Sequence, residues 1–162
     1  MNRKTDLQAM KPAALFSIVK MIALCGYSFF RFMRSSGLTG VKGLVILSSH
    51  EGADYGRLDL RRARTLISRR RLDLIKHLEM FVNSLVWLLP PETSFVGCFA
   101  HEGHFSAGRH RHLSRDRVSA LLEGSGLVVI DMKEMNGLTY FHSRKRTQGQ
   151  DRAGKETKNQ SG

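Results

Sequence analysis

The chain is short of acidic residues, cysteine and proline. Only two of its 162 residues are cysteine, Cys25 and Cys98, and they are 73 positions apart. Two such thiols exclude a disulfide framework, and neither stands in a C-x-x-C pair. This usage points to a reducing compartment and a cytoplasmic protein. There are 14 acidic residues against 26 lysines and arginines, for a net charge of +12. Six basic residues fall in positions 1–34, eight in 57–76 and six in 144–158. A field of that sign draws nucleic acid or anionic lipid without specifying either. With 41% hydrophobic residues, full disorder is excluded, and the length suits one domain with a real core.

Long apolar runs are also scarce. The best is residues 13–30, Ala13 to Phe30, flanked by Lys11 and Arg31 and interrupted by Lys20. It is at the lower limit for a membrane span, and a central lysine opposes insertion. Both flanks are positive, so they give no orientation. Three readings stay open: a packed or interfacial helix, a membrane anchor, and a signal sequence with no clean cleavage site. Pro12 suits a first helical turn, where its missing N–H costs nothing.

The chain then passes through a loop with Gly37, Gly40 and Gly43. Leu44–Leu47 reads as a short buried strand of a parallel sheet. Ser48, Ser49, His50, Glu51 and Gly52 follow directly. Ligands of open α/β sheets sit beyond the carboxyl ends of strands, so His50 and Glu51 are either ligand-facing groups or a polar turn. From Leu58 to Leu89 there is no glycine or proline. Ala63, Ile67, Leu74, Leu78, Phe81, Leu85 and Leu88 fit one helical face, with Asp73-Leu74-Ile75 as a candidate interruption. Arg61, Arg62, Arg64, Arg69, Arg70 and Arg71 crowd its first half. They read as a solvated basic face or as a surface for RNA or anionic membrane through residues 57–76. No aromatic residue is interleaved among them to stack on bases.

Pro90-Pro91 ends the helix. Phe95–Phe99 predicts a compact strand. Ser114 predicts a helix N-cap, and Val118, Leu121 and Leu122 its apolar stripe, with Gly124 and Gly126 closing it. Leu127–Met132 and Leu138–His142 read as strands about an Asn136-Gly137 turn, the strongest short hairpin signal.

This order resembles the C-terminal portion of class I S-adenosylmethionine-dependent methyltransferases. His77-Leu78-Glu79 through Leu88-Leu89-Pro90-Pro91 is similar to the family's helix before its L-x-P-G-G turn. Phe95–Phe99 is similar to the strand after it. His112-Leu113-Ser114, then Leu121-Leu122-Glu123-Gly124-Ser125-Gly126-Leu127-Val128-Val129, resembles the next helix and strand. Met135-Asn136-Gly137-Leu138-Thr139-Tyr140-Phe141 resembles the closing antiparallel hairpin. The resemblance covers roughly 70 residues. It implies an α/β fold: a partial Rossmann-like methyltransferase sheet with a C-terminal antiparallel hairpin, preceded by an N-terminal helix.

It also implies S-adenosylmethionine as cofactor, His50 and Glu51 near the donor, and His101 and His104 near a small-molecule acceptor. The family's glycine-rich loop after the first strand is missing, since no G-x-G-x-G follows any strand. There is also room upstream for too few strands. The domain is therefore expected to be truncated or degenerate, inactive alone, or completed by a protein partner. The alternative is a basic module for nucleic acid or anionic membrane without catalysis.

His101, His104, His110 and His112 lie within twelve residues, near Cys98 and Glu102. H-E-x-H with Gly103 inside it is not the helical H-E-x-x-H zinc motif, and no metal site is assigned. The division expected is an apolar helix over 1–34, an α/β domain over 35–145 and a disordered basic tail over 146–162. If the apolar run contacts lipid, the protein is membrane-associated through residues 13–30.

Overall fold

The computed structural model describes residues 12–39, 42–47, 60–100 and 113–147, with backbone alone for 12–18. Its elements are helices α1 (Pro12–Cys25), α2 (Tyr27–Ser35), α3 (Leu78–Leu88) and α4 (Arg115–Gly124), and strands β1 (Leu44–Leu47), β2 (Thr65–Ser68), β3 (Ser94–Ala100), β4 (Leu127–Met135) and β5 (Leu138–Lys145). The strands form one mixed sheet in the order β1-β2-β3-β5-β4. β1, β2 and β3 are parallel, and β5 and β4 add antiparallel.

Pro12 begins α1, as its missing N–H allows. The apolar run is not one helix: it divides at Gly26 into α1 and α2. Fourteen residues make about 21 Å at 1.5 Å each, short of a bilayer's ~30 Å core. No helix among the described residues is long and apolar enough to cross a membrane. Instead Met21, Phe29, Phe32 and Met33 are buried against Ile67, Val96, Cys98 and Tyr140 on one face of the sheet. Tyr140 meets Phe29 edge-on at 5.6 Å and Phe32 at 5.7 Å. Each such buried side chain contributes about 1.5–3 kcal/mol by leaving water.

The other face is covered by α3 and α4. Leu78, Val82, Leu85 and Val86 recur at helical spacing and are buried with Leu66, Phe95, Phe99 and Phe141. Val118 and Leu122 of α4 complete that layer. Ser114 caps α4 as expected, its Oγ accepting from the Arg117 N–H at 3.2 Å. The hairpin turn is also as expected: Asn136 and Gly137 both have positive φ, 52° and 75°, which that turn requires.

The long glycine-free stretch is the main correction. Residues 60–89 do not form a helical face from end to end. Thr65–Ser68 is a strand buried on both sides, and only Leu78–Leu88 is α-helical. Ala63 and Ile67 matched a helical period by chance of spacing, since a central parallel strand is apolar on both faces and shows no period of its own. The interruption at Asp73 is real: Leu72–Leu74 is a 3-10 turn. The arginine run is therefore not one basic helix face. Arg61, Arg62 and Arg64 precede β2 and Arg69, Arg70 and Arg71 follow it, so the two groups lie at opposite edges of the sheet. The five steps from Arg64 to Arg69 span about 16 Å at ~3.3 Å each.

Gly43 fixes the entry to β1. Its carbonyl accepts from the N–H groups of Arg64 (2.9 Å) and Thr65 (3.3 Å). At φ 87° with the Arg62 carbonyl 2.7 Å from where a Cβ would stand, only glycine fits.

Candidate functional site

β1 and β2 end level with each other at Leu47 and Ser68, β3 runs on past them to Ala100, and this carboxyl edge is where open α/β sheets place ligands. The segments leaving it include His50 and Glu51 after β1, and His101 and His104 after β3. All four residues lie outside the described residues, as do Ser48, Ser49, His110 and His112. The tail from residue 148 and residues 1–11 also lie outside them.

The described residue that organises this edge is Asp73, which in the sequence stands only as a candidate break in a helix. It is 3% exposed. Its carboxylate accepts the Ala100 N–H at 2.9 Å and the Arg71 Nε–H at 3.1 Å on Oδ1, and a short second bond from Arg71 Nη2 on Oδ2. Burial alone would push its pKa up. The Arg71 hydrogen bonds, the Ala100 N–H and the Arg71 charge outweigh burial and hold it below the usual carboxylate value. Asp73 thus ties the turn after β2 to the last residue of β3. An aspartate inside an arginine-rich run (R-R-R-L-D) was the available signal, because a lone acid there has a cation within reach.

The remaining groups nearby are held rather than presented. Ser68 Oγ donates to the Arg70 carbonyl at 2.9 Å, and Arg70 Nη2 donates to the Leu74 carbonyl at 3.0 Å. Burial pushes the Cys98 thiol up to about 12 and the Cys25 thiol to about 11. Neither is a nucleophile at neutral pH. Toward the other, amino edge, His142 on β5 is buried with Nε2 3.0 Å from Ser94 Oγ, and burial followed by the Arg144 charge pushes its pKa down. Among the described residues no three His, Cys, Asp or Glu side chains gather as a metal site.

A methyl donor carries a ribose and a charged amino acid, so a cradle for it needs free acceptors and close backbone. Among the described residues at this edge, Asp73 is fully engaged. The one orphaned buried polar atom there is Thr139 Oγ1, opposite Phe99. One hydroxyl does not hold a nucleoside, and the sequence after β1 offers only Gly52 and Gly56, four positions apart, in place of a G-x-G-x-G run. The described residues do not fit the donor by themselves.

No protein-family model matches the chain, and no curated protein matches it in sequence. Solved structures resemble it in shape. The 1,6-didemethyltoxoflavin-N1-methyltransferase of Burkholderia thailandensis, solved with S-adenosylhomocysteine, aligns with 88% of this chain and 82% of its own at 13% identity and a TM-score of 0.49. The magnesium protoporphyrin IX methyltransferase of Synechocystis PCC 6803 aligns with 55% of this chain at 13% identity and a TM-score of 0.42. This chain spans 47% of that enzyme's length. A SAM-dependent methyltransferase of Aquifex aeolicus aligns with 70% of this chain and 60% of its own at 16% identity and 0.44. At such identities and TM-scores, the likeness carries no argument about what this chain binds or catalyses.

Proposed function

We propose that the chain is a methyltransferase-like α/β domain with an incomplete donor half, which holds S-adenosylmethionine only weakly by itself and acts on a small-molecule acceptor only when a protein partner completes it. The supporting observation is the sheet itself. Three parallel strands followed by an antiparallel pair, with β5 inserted between β3 and β4, match the order in which helix, strand, helix, strand, tight turn and strand follow one another in the family's C-terminal half. In this reading His50 and Glu51 face the donor, His101 and His104 face the acceptor, and Asp73 positions the end of β3 between them. The chain's own part in catalysis is to hold and orient the acceptor, which is where methyl transfer gains most.

S-adenosylhomocysteine tests it. The isolated chain is expected to bind with a dissociation constant weaker than about 100 μM by calorimetry, roughly 5.5 kcal/mol. At five times a millimolar constant the ligand still stabilises by about 1 kcal/mol, raising Tm by about 2–4 °C. Tight binding would overturn the incompleteness. No shift of Tm at millimolar ligand would overturn the donor reading.

A further inference from the structure

The opposite, amino edge of the sheet carries a cleft of about 440 Å³ lined by Arg61, Arg62, Arg64, Pro90-Pro91, Glu92 and Thr93. We propose that this cleft binds the phosphate backbone of a single-stranded nucleic acid.

The arginines converge because the backbone pins them there. Arg64 N–H donates to the Gly43 carbonyl, the Arg64 carbonyl accepts the Ser94 N–H at 2.9 Å, and Thr93 Oγ1 donates to the Ala63 carbonyl at 3.0 Å. A wall built in advance keeps the ordering cost of binding low. Arg62 and Arg64 are exposed and make no ion pair among the described residues. At the other edge, by contrast, Arg70 and Arg71 are occupied by Leu74 and Asp73. The one carboxylate in the cleft, Glu92, has its own partners: Arg144 at 3.9 Å and the Thr147 hydroxyl. It therefore cancels little of the positive charge.

The fold also supplies the aromatic group that is missing from the arginine run. Trp87 is 83% exposed in the last turn of α3, the turn that leads through Leu89 into Pro90-Pro91 at the cleft. An exposed indole three positions before the first proline of the cleft offers a face on which an unstacked base can stack. A flat anionic membrane suits the cleft less well. Its lining beside the arginines is Ala63, proline and Thr93, which offer no long apolar side chain to a bilayer; Trp87 is outside that lining, and the vesicle arm of the test decides whether it enters lipid. This site is at the edge remote from the proposed acceptor site, and it stands whether or not the chain binds a methyl donor.

The test uses the full chain and a fluorescein-labelled oligouridylate of about twelve nucleotides, a length within the site size of single-strand binders. Anisotropy is read between about 50 and 200 mM salt. The variant R62E/R64E is expected to bind at least about 10-fold more weakly, with the salt slope reduced by about 1.4, or 0.7 per phosphate. The control R31E/R34E, on exposed positions of α2, makes the same change in net charge and is expected to lose less than about 3-fold. Trp87→Ala is expected to weaken binding about 5-fold or more, and Trp87→Phe to restore most of it. R62Q/R64Q, which only neutralises, is the second variant should charge reversal disturb folding by circular dichroism. Equal losses in R62E/R64E and R31E/R34E would show diffuse attraction and overturn the proposal. So would the absence of oligouridylate binding by the parent chain, or binding of phosphatidylglycerol vesicles that oligouridylate does not compete away.

Discussion

Replacing Asp73 by alanine should be the most damaging exchange of a polar residue in the described structure. Three things change. The Ala100 N–H, part-buried at the end of β3, loses its acceptor, and an orphaned buried donor costs about 1–3 kcal/mol. Arg71 loses a two-pronged partner. Its side chain is 25% exposed against 1% for the aspartate, so water recovers part of that loss. The turn after β2 is no longer tied to β3. Taken together, about 2–4 kcal/mol should disappear from urea unfolding at pH 7, with an unchanged m-value. The pH dependence is a second handle. The folded pKa of Asp73 is below its unfolded value, so its contribution is full above about pH 4, the unfolded pKa. It is lost as pH falls through the folded value. Asp73→Asn keeps the shape and removes that titration, so the stability difference between parent and variant should shrink as pH drops below about 4. A loss under about 1 kcal/mol in Asp73→Ala, or a difference independent of pH down to 3, would refute the argument.

Other perturbations probe the two layers and the buried titrating groups. A Cβ on Gly97 would stand 2.8 Å from the fully buried Phe141 ring, so Gly97→Ala should cost about 1–3 kcal/mol in urea unfolding. Phe32→Ala empties the space between α2 and Tyr140 and should cost about 3–5 kcal/mol; a near-neutral result would mean that α2 is not packed on the sheet. With thiols pushed up to about 12 and about 11, Cys98 and Cys25 should react with Ellman's reagent at neutral pH far more slowly in the folded than in the unfolded chain. His142 has a folded pKa below its unfolded one, so the unfolded state takes up the proton first and stability should fall as pH drops below about 6.5. His142→Gln should remove that part of the slope, measured as the difference from the parent between pH 7 and 5.

The parts legible in the sequence were those fixed by local chemistry. Leu44–Leu47 was bounded by Gly43 and Ser48, α4 by the Ser114 cap, and the β4–β5 hairpin by Asn136-Gly137. In each case a residue with a backbone preference marks the border. β2 was hidden for the opposite reason. Its four residues carry no breaker on either side, and arginines, which favour helices, flank it. Only burial between β1 and β3 makes it a strand, and that is a tertiary fact. The pairing of Asp73 with an arginine has a signal in R-R-R-L-D, but its tie to β3 has none, because its partner Ala100 is 27 positions away. The split of residues 13–30 was signalled by Gly26, but hydropathy alone reads across a single glycine.

The arginines show why a count of charge does not locate a site, while an account of hydrogen bonds does. Six arginines within eleven residues look equivalent in sequence. Once β2 runs between them, each group meets a different environment. After β2 the chain must turn back to start α3, and Arg70 and Arg71 are spent on that turn, on the Leu74 carbonyl and the Asp73 carboxylate. Before β2 the backbone is already satisfied by Gly43 and Ser94, so the Arg62 and Arg64 side chains have no structural task among the described residues. A guanidinium without a structural partner is available to an anion, and one that holds a turn together is not. The same reasoning accounts for Trp87. Its helix buries Leu78, Val82, Leu85 and Val86, and the indole one position beyond Val86 is left facing solvent. At that exposure most of the ring's apolar surface stays in water, without a covering contact among the described residues. A ligand stacked on the ring would supply one, and it would do so beside the arginines that the fold leaves unused.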